Sequence, residues 1–586
     1  MTPAAHNEAG LAKWATAEVE APNVSTDERS GFDSIKLEVW WSRLVAIVDE
    51  AATALLRTAF STIIRESNDY TVVLTNASGE SIAECNAGIP AFAVVMGRLV
   101  RSLLERFPLE LWRDGDCVIT NDPWLGTGHL PDVAVVTPIF FSKRLVGFAA
   151  TAAHVPDIGS TAGMGVTDPM AEGLLIPPVY LYRGGALQEG VLDLFMGNVR
   201  LARQVRGDIQ AQLAAHEVCR QRTISFMDET GHQDLVELSS ALHDRAERGV
   251  SRALDSIPDG SWESVVESDG AGGLPTVINC RVSKAGNRLS VDYTGSSLQS
   301  PYPINCTLNY TLAYTVYPLK ILLDPSTRRN HGSYKAFRIS APPGSILNAG
   351  YPAPVGARHL TGHLLSCAVY QAMAPVLPSR VIADSGGSPA LRVRLFGTKP
   401  DGDSFILHLF ASAGMGASSS ADGLSTTAFP TNSGAGSLEA LEVAAPILFT
   451  RKEYRVDSGG PGTYRGGLGQ DIEMLNASGS AITVALLGDR ETHPAQGILG
   501  GSPGSTAEVK IAGRDTPLKS VVQLEPGETI AIAFPGGGGY GPAEARSMEL
   551  IASDVDRGFV SESAGREIFT ASLSASCSGH RPERTC

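Results

Sequence analysis

Apolar residues recur at helical spacing over residues 34–64, with Leu37, Trp41, Leu44, Val48, Ala51 and Leu55 on one stripe. That spacing predicts an amphipathic helix. The stripe stops near Arg65-Glu66-Ser67-Asn68-Asp69, and a strand is expected over 70–74, closed by the turn formers Asn76-Ala77-Ser78-Gly79. Val94, Val95, Leu99 and Leu103 predict a second helix over 91–106. Residues 116–120 read as a short strand, and 133–140 with 145–153 as a hairpin turning at 141–144. A long helical stretch follows over 197–256, with Leu201, Val205, Ile209, Leu213 and His216 on one face, and it stops at Pro258-Asp259-Gly260. The pattern then switches to strands at 262–267, 277–282 and 289–293, with helices over 307–323 and 360–375. Beyond about residue 380, short β-branched runs are punctuated by Gly, Ser and Pro.

These patterns predict a multidomain chain of mixed α and β (α+β) class. The expected divisions are a mobile arm over 1–32, an α/β region over 33–195, and a central helical segment over 196–257. An α+β region over 258–380, a β-rich region over 381–545 and a partly disordered tail over 546–586 complete it.

The 586 residues are 43% hydrophobic and 19% charged, the composition of a soluble globular protein. A net charge of -15 argues against nucleic acid or an anionic membrane as partner. No uninterrupted apolar run reaches the ~18 residues a membrane helix needs. The best stretch, 133–155, is broken by Ser142-Lys143-Arg144. The first residues lack a basic segment leading into an apolar one, so no secretory signal is expected. Eight cysteines without a CxxC pair read as reduced thiols, and a cytoplasmic location is expected.

The densest candidate chemistry is Asn121-Asp122-Pro123-Trp124-Leu125-Gly126-Thr127-Gly128-His129-Leu130-Pro131-Asp132. It lies between strand-like runs, where scaffolds present functional loops. If the following hairpin closes, His129 and Asp132 at one end meet His154 at the other. Imidazole and carboxylate donors suit Zn, Mn or Fe(II), and the absence of thiolate points to a catalytic site. An open coordination position there would activate a water or polarise a carbonyl. The competing reading is that His129 braces its loop and His154 caps a strand. Locally, Asp69 reads as a cap or turn residue, while Asp122 and Asp157 stabilise their own turns. His359 and His363 share i, i+4 spacing and read as a satisfied helix face rather than a metal pair. The glycine-rich turns at 458–462 and 535–541 lack the Lys-Ser/Thr of a phosphate-binding loop. With no GxSxG, HExxH or dinucleotide fingerprint either, no nucleotide site of its own is expected.

The 121–132 loop followed by Val133-Ala134-Val135-Val136-Thr137-Pro138 resembles a characteristic block of the hydantoinase B/oxoprolinase family. So do His154-Val155-Pro156-Asp157-Ile158-Gly159, Ala171-Glu172-Gly173-Leu174-Leu175-Ile176-Pro177-Pro178-Val179 and Pro303-Ile304-Asn305. Pro352-Ala353-Pro354-Val355, Ser458-Gly459-Gly460-Pro461-Gly462 and the 535–541 turn continue the match in order. Ser160 and Gly128 depart from the common pattern.

The resemblance implies an ATP-dependent enzyme that opens a cyclic amide such as a hydantoin, lactam or oxoproline. Its alternative is an acetone- or acetophenone-type ketone carboxylase. It further implies an A-type partner subunit that binds ATP and phosphorylates a carbonyl oxygen, in a heterotetramer of two A-type and two B-type chains. A divalent metal, zinc or else manganese or iron, would be held by Asp69, His129, Asp132 and His154. Asp132 or Asp157 would act as general base. The division of labour is chemically sensible, because an amide resists water until its oxygen is phosphorylated into a good leaving group.

Overall fold

The computed structural model describes residues 32–160 and 165–567. The arm expected over 1–32 lies outside these residues except for Phe32, as does the end of the expected tail.

The first layer is a seven-stranded sheet built from β1 (Tyr70–Asn76), β2 (Ser81–Glu84), β3 (Cys117–Thr120), β4 (Asp132–Phe141), β5 (Arg144–His154), β6 (Val179–Arg183) and β7 (Ala186–Leu187). Its order is β2-β1-β5-β4-β3-β6-β7, antiparallel at every pairing. The β4–β5 hairpin turns through Ser142 and Lys143, both with positive φ, as a tight hairpin turn requires. Along β5 the side chains alternate between faces. Ala149 and Ala153 join the core under the Ser34–Thr58 and Ala202–Thr230 helices, whereas Phe148, Ala150 and Ala152 face the Pro90–Arg106 helix. Small alanines let helices lie close on both sides.

The first helix ends at Thr58, not near 64. The Phe60 and Ser61 amides donate to Asp208 Oδ1 at 2.8 and 3.0 Å, a tertiary anchor that turns the chain away from the helix axis. A four-residue helix, Thr62–Arg65, follows. The stretch expected to be helical over 197–256 contains two helices, Ala202–Thr230 and Val236–Asp255, parted by left-handed Gly231 at φ 76°. The first of them covers the sheet, where His216 bridges the Thr137 and Thr151 hydroxyls at 2.9 and 3.0 Å.

The second layer pairs β8 (Gly260–Ala271), β9 (Leu274–Ala285), β10 (Arg288–Asp292) and β11 (Phe337–Ser340) in the order β11-β10-β9-β8. The Leu308–Leu323 and Leu364–Met373 helices share its core. The β-rich remainder is a sandwich. One sheet holds β12 (Arg392–Thr398), β13 (Ser404–Leu409), β16 (Ile482–Leu487) and β19 (Val521–Leu524). The other holds β14 (Ile447–Tyr454), β15 (Gln470–Asn476), β17 (Glu508–Ile511), β18 (Arg514–Asp515) and β20 (Thr529–Ala533). Val393, Leu395, Leu407 and Val484 of one sheet meet Ile472, Met474 and Ile532 of the other.

The glycine-rich turns are packing devices. A Cβ on Gly537 would sit 2.1 Å from the Met415 carbonyl oxygen, so only glycine lets these backbones touch. Beyond 545, Met548–Asp556 forms a helix whose Asp554 pairs with Arg546 at 2.6 Å and Arg465 at 3.1 Å. Among the described residues, no helix is long and apolar enough to cross a membrane.

Candidate metal centre

Three adjacent strands deliver the site. Asp132 opens β4, His154 closes β5, and the two are register partners at the open end of the hairpin. β1 pairs with β5 on its other side, and the His154 amide donates to the Asp69 carbonyl at 3.0 Å just before β1 begins. His129 comes from the loop preceding β4. Asn121 fixes that loop: its Nδ2 donates to the Leu130 and Leu174 carbonyls at 2.8 Å each, and its Oδ1 accepts from the Ile176 amide at 2.6 Å. Asp122 accepts from the Trp124 amide at 2.9 Å and so stabilises its own turn, as expected.

His129, Asp132 and His154 are buried, and one donor atom from each lies within 4.8 Å of the others. Asp132 Oδ1 is 2.9 Å from His129 Nε2 and 3.1 Å from His154 Nδ1. Its Oδ2 accepts from the Thr127 hydroxyl at 2.5 Å and from Arg358 Nη2 at 2.6 Å. Asp69 Oδ2 lies 3.8 Å from His154 Nδ1. Asp69 Oδ1 and His154 Nε2 are buried without a hydrogen-bond partner.

This donor set fits a divalent cation. His129 sits between two groups that can only accept, the Gly356 carbonyl oxygen 3.2 Å from Nδ1 and the ionised Asp132 Oδ1 2.9 Å from Nε2; a neutral ring has one N–H, and a cation at Nε2 leaves it on Nδ1. Nε2 then points its lone pair at a carboxylate oxygen. Two acceptors face each other, and a cation beside both relieves the repulsion. The electrostatics agree. Burial, with Arg358 next, lowers His129 to about 4, and burial lowers His154 as well. Burial alone would raise Asp132, but His129 when protonated, and Arg358 at every pH, outweigh it and hold the carboxyl well below the usual range. Burial raises Asp69 against the opposing pull of His154 and Arg392.

The site thus gathers Asp69, His129, Asp132 and His154. It does not gather Asp157, whose oxygens accept from the Gly159 amide at 3.0 Å, Arg200 Nη1 at 3.0 Å and the Arg200 amide. The expectation for His359 and His363 is corrected: both are buried, and the Nε2 of each lacks a partner. Burial, followed by the Arg392 charge, holds both imidazoles neutral.

Several contributors are not apparent from the sequence. Arg358 ties Asp132 to the second layer, donating also to the Thr127 carbonyl at 2.7 Å and lying 4.3 Å over the Tyr310 ring. Glu172 accepts from the Val355 and Gly356 amides at 3.1 and 2.6 Å and so fixes the carbonyl that orients His129. His408 of the sandwich packs edge-on to His154 at 5.4 Å. The available signal was alternation: Leu391-Arg392-Val393-Arg394-Leu395 sets arginines on the face opposite an aliphatic one.

Residues 33–543 match the family model for hydantoinase B/oxoprolinase. The chain belongs to that family. It is 28% identical to the putative B-type subunit of a D-/L-hydantoinase from Pseudomonas sp. (strain NS671), over 90% of this chain and 93% of that one. The crystal structure of the ATP-dependent caprolactamase from Pseudomonas jessenii is similar at TM-score 0.85 and 26% identity, covering 92% of this chain and 96% of that one. A nucleotide-free acetone carboxylase structure has the same fold at TM-score 0.83 and 19% identity, covering 92% of this chain and 79% of that one. Family members named as subunits imply a partner subunit for this chain too.

Proposed function

We propose that this chain is the B-type subunit of an ATP-dependent cyclic-amide hydrolase, acting on a hydantoin, lactam or oxoproline-like ring. The observation that carries the reading is the buried His129, Asp132 and His154 cluster at the open end of the β4–β5 hairpin. Asp69 joins it as a fourth donor. A divalent cation held there, zinc first by donor type and manganese or iron next, supplies Lewis acidity and a water of lowered pKa.

In this reading a separate A-type subunit binds ATP and phosphorylates the amide oxygen, and this chain receives the activated ring. Arg358 and Thr127 keep Asp132 ionised and fixed, while the Gly356 carbonyl sets the His129 tautomer. Asp132 Oδ1 meets His154 Nδ1 at 3.1 Å and its Oδ2 accepts from Arg358, while Asp157 is committed to Arg200. Asp69, with Oδ1 free of any hydrogen-bond partner, therefore takes the proton-accepting role proposed from sequence for those two. Likeness to the caprolactamase supports ring hydrolysis. The reading includes two A-type and two B-type chains and a cytoplasmic location.

Co-expression with the A-type partner tests it. ADP release would be followed against hydantoins, lactams, 5-oxoproline and ketones, with and without bicarbonate. A ring-opened product in bicarbonate-free buffer is expected. Strict bicarbonate dependence with a ketone would replace hydrolysis by carboxylation.

A further inference from the structure

β12 and β13 pair antiparallel with Arg394 opposite His408. Val393, Leu395, Leu407 and Leu409 enter the sandwich core, so alternation turns Arg392, Arg394, His408 and Phe410 to the other face. That face closes over the metal centre, where the His408 ring meets His154. Arg392 also lines a cleft with Phe410, Ser412, Thr427, Thr431 and Ser433.

Neither guanidinium has an ion-pair or hydrogen-bond partner among the described residues. Arg392 lies 5.4 Å over the Phe410 ring and Arg394 5.3 Å over Phe396, while Arg394 Nε is buried with no partner. The fully buried arginines each have a carboxylate within ion-pair distance: Arg358 has Asp132, Arg465 and Arg546 have Asp554, and Arg490, whose Nε is also unpartnered, has Asp384 at 4.0 Å. The carboxylate that acts on Arg394 is Asp157, already committed to Arg200. The Arg392 charge reaches Asp69, His129, His359, His363 and His408. Two positions along a strand separate the arginines by about 7 Å, so their charges repel. Such a pair, half-buried and unmatched beside a cleft, is stabilised by an anion that enters from outside.

We propose that Arg392 and Arg394 form an oxyanion subsite that receives the phosphoryl group of the activated substrate. This rests on the proposed function and adds where that activated substrate is held: its phosphate docks on the sandwich face and its ring carbon faces the metal cluster. The guanidinium fork matches phosphate oxygens in geometry and charge. The cleft also carries the Ser412 hydroxyl and the mutually bonded Thr431 and Ser433 hydroxyls, one of which keeps its proton to donate, while Thr427 is committed to the Ser425 carbonyl. No bond is made or broken at the arginines, which bind and orient.

The test is calorimetric titration of the metal-replete chain with inorganic phosphate, for wild type, Arg392→Ala, Arg392→Lys and Arg394→Ala. Wild type is expected to bind phosphate, and each alanine variant to weaken it about 10-fold or more, the scale of one charged hydrogen bond. Lysine should restore part of the loss, with metal content and melting temperature unchanged. Wild-type affinity in both alanine variants, or no phosphate binding by wild type, overturns the proposal. Phosphate bound through the arginines, without cyclic-amide turnover in the complex with the A-type partner, assigns the subsite to free phosphate and sinks the hydrolase reading instead. Ring opening with phosphate affinity indifferent to both arginines does the reverse.

Discussion

Arg358→Met removes the one cation that a different layer lends to Asp132. The guanidinium is 2% exposed and the carboxylate fully buried, joined at 2.6 Å. Breaking such a pair from one side costs ~3–5 kcal/mol, because the remaining charge stays buried. Thr127 still donates to Oδ2 at 2.5 Å, which places the loss toward the lower end. Arg358 also donates to the Thr127 carbonyl at 2.7 Å, and losing that bond adds about 1 kcal/mol. The sum is about 4 kcal/mol in the metal-free chain. At 1.4 kcal/mol per tenfold, that is roughly three decades of faster local opening. Hydrogen exchange in the chelator-treated chain reads it directly, in peptides covering 127–136 and 150–156. Arg358→Lys, which keeps charge but loses the fork, should fall between. Exchange within tenfold of wild type in the methionine variant would refute the claim that Arg358 holds this carboxylate.

His154→Ala and Asp132→Asn should each abolish stoichiometric metal retention after desalting, measured by plasma mass spectrometry, whereas Asp122→Asn should retain it. Burial raises Glu172 from 4.5 to about 7. The folded chain therefore binds that proton more tightly than the unfolded chain. Stability should fall as pH rises through this window, by roughly 3 kcal/mol in all. Glu172→Gln should flatten that part of the profile in melts taken from pH 4 to 8, and an unchanged slope would count against it. Gly128 sits at φ 98°, and a Cβ there would lie 2.8 Å from Arg358 Cδ and 3.0 Å from Tyr310 Cβ. Gly128→Ala should cost roughly 1–3 kcal/mol and weaken metal binding, checked by melting and metal competition.

Local periodicity made several elements legible. The helices expected over 91–106 and 307–323 are Pro90–Arg106 and Leu308–Leu323. The hairpin expected over 133–140 and 145–153 is β4 and β5. Misses came where a distant group intervened. Asp208 stops the first helix from some 150 residues away, which no window around Thr58 contains. Gly231, an available break signal, was absorbed into one long helix because the residues on both sides keep helical spacing.

The candidate site divides along the same line. His129, Asp132 and His154 meet because one hairpin closes, a local event that spacing can anticipate. Asp69 needs β1 to pair with β5, and on local grounds it read as a turn residue. Arg358, His408, Arg392 and Arg394 come from the other two layers, and each looks ordinary beside its chain neighbours. Yet they set the site's electrostatics: Arg358 keeps Asp132 ionised, and Arg392 helps keep His359 and His363 neutral. The first sheet and the loops that lead into β1 and β4 therefore supply the donor atoms, while the second layer and the sandwich decide their charge state. A fragment ending near residue 260 would keep all four candidate ligands but lose every one of those arginines. Its Asp132 would then lack its fixed cation, and metal binding would have to supply what packing supplies in the whole chain.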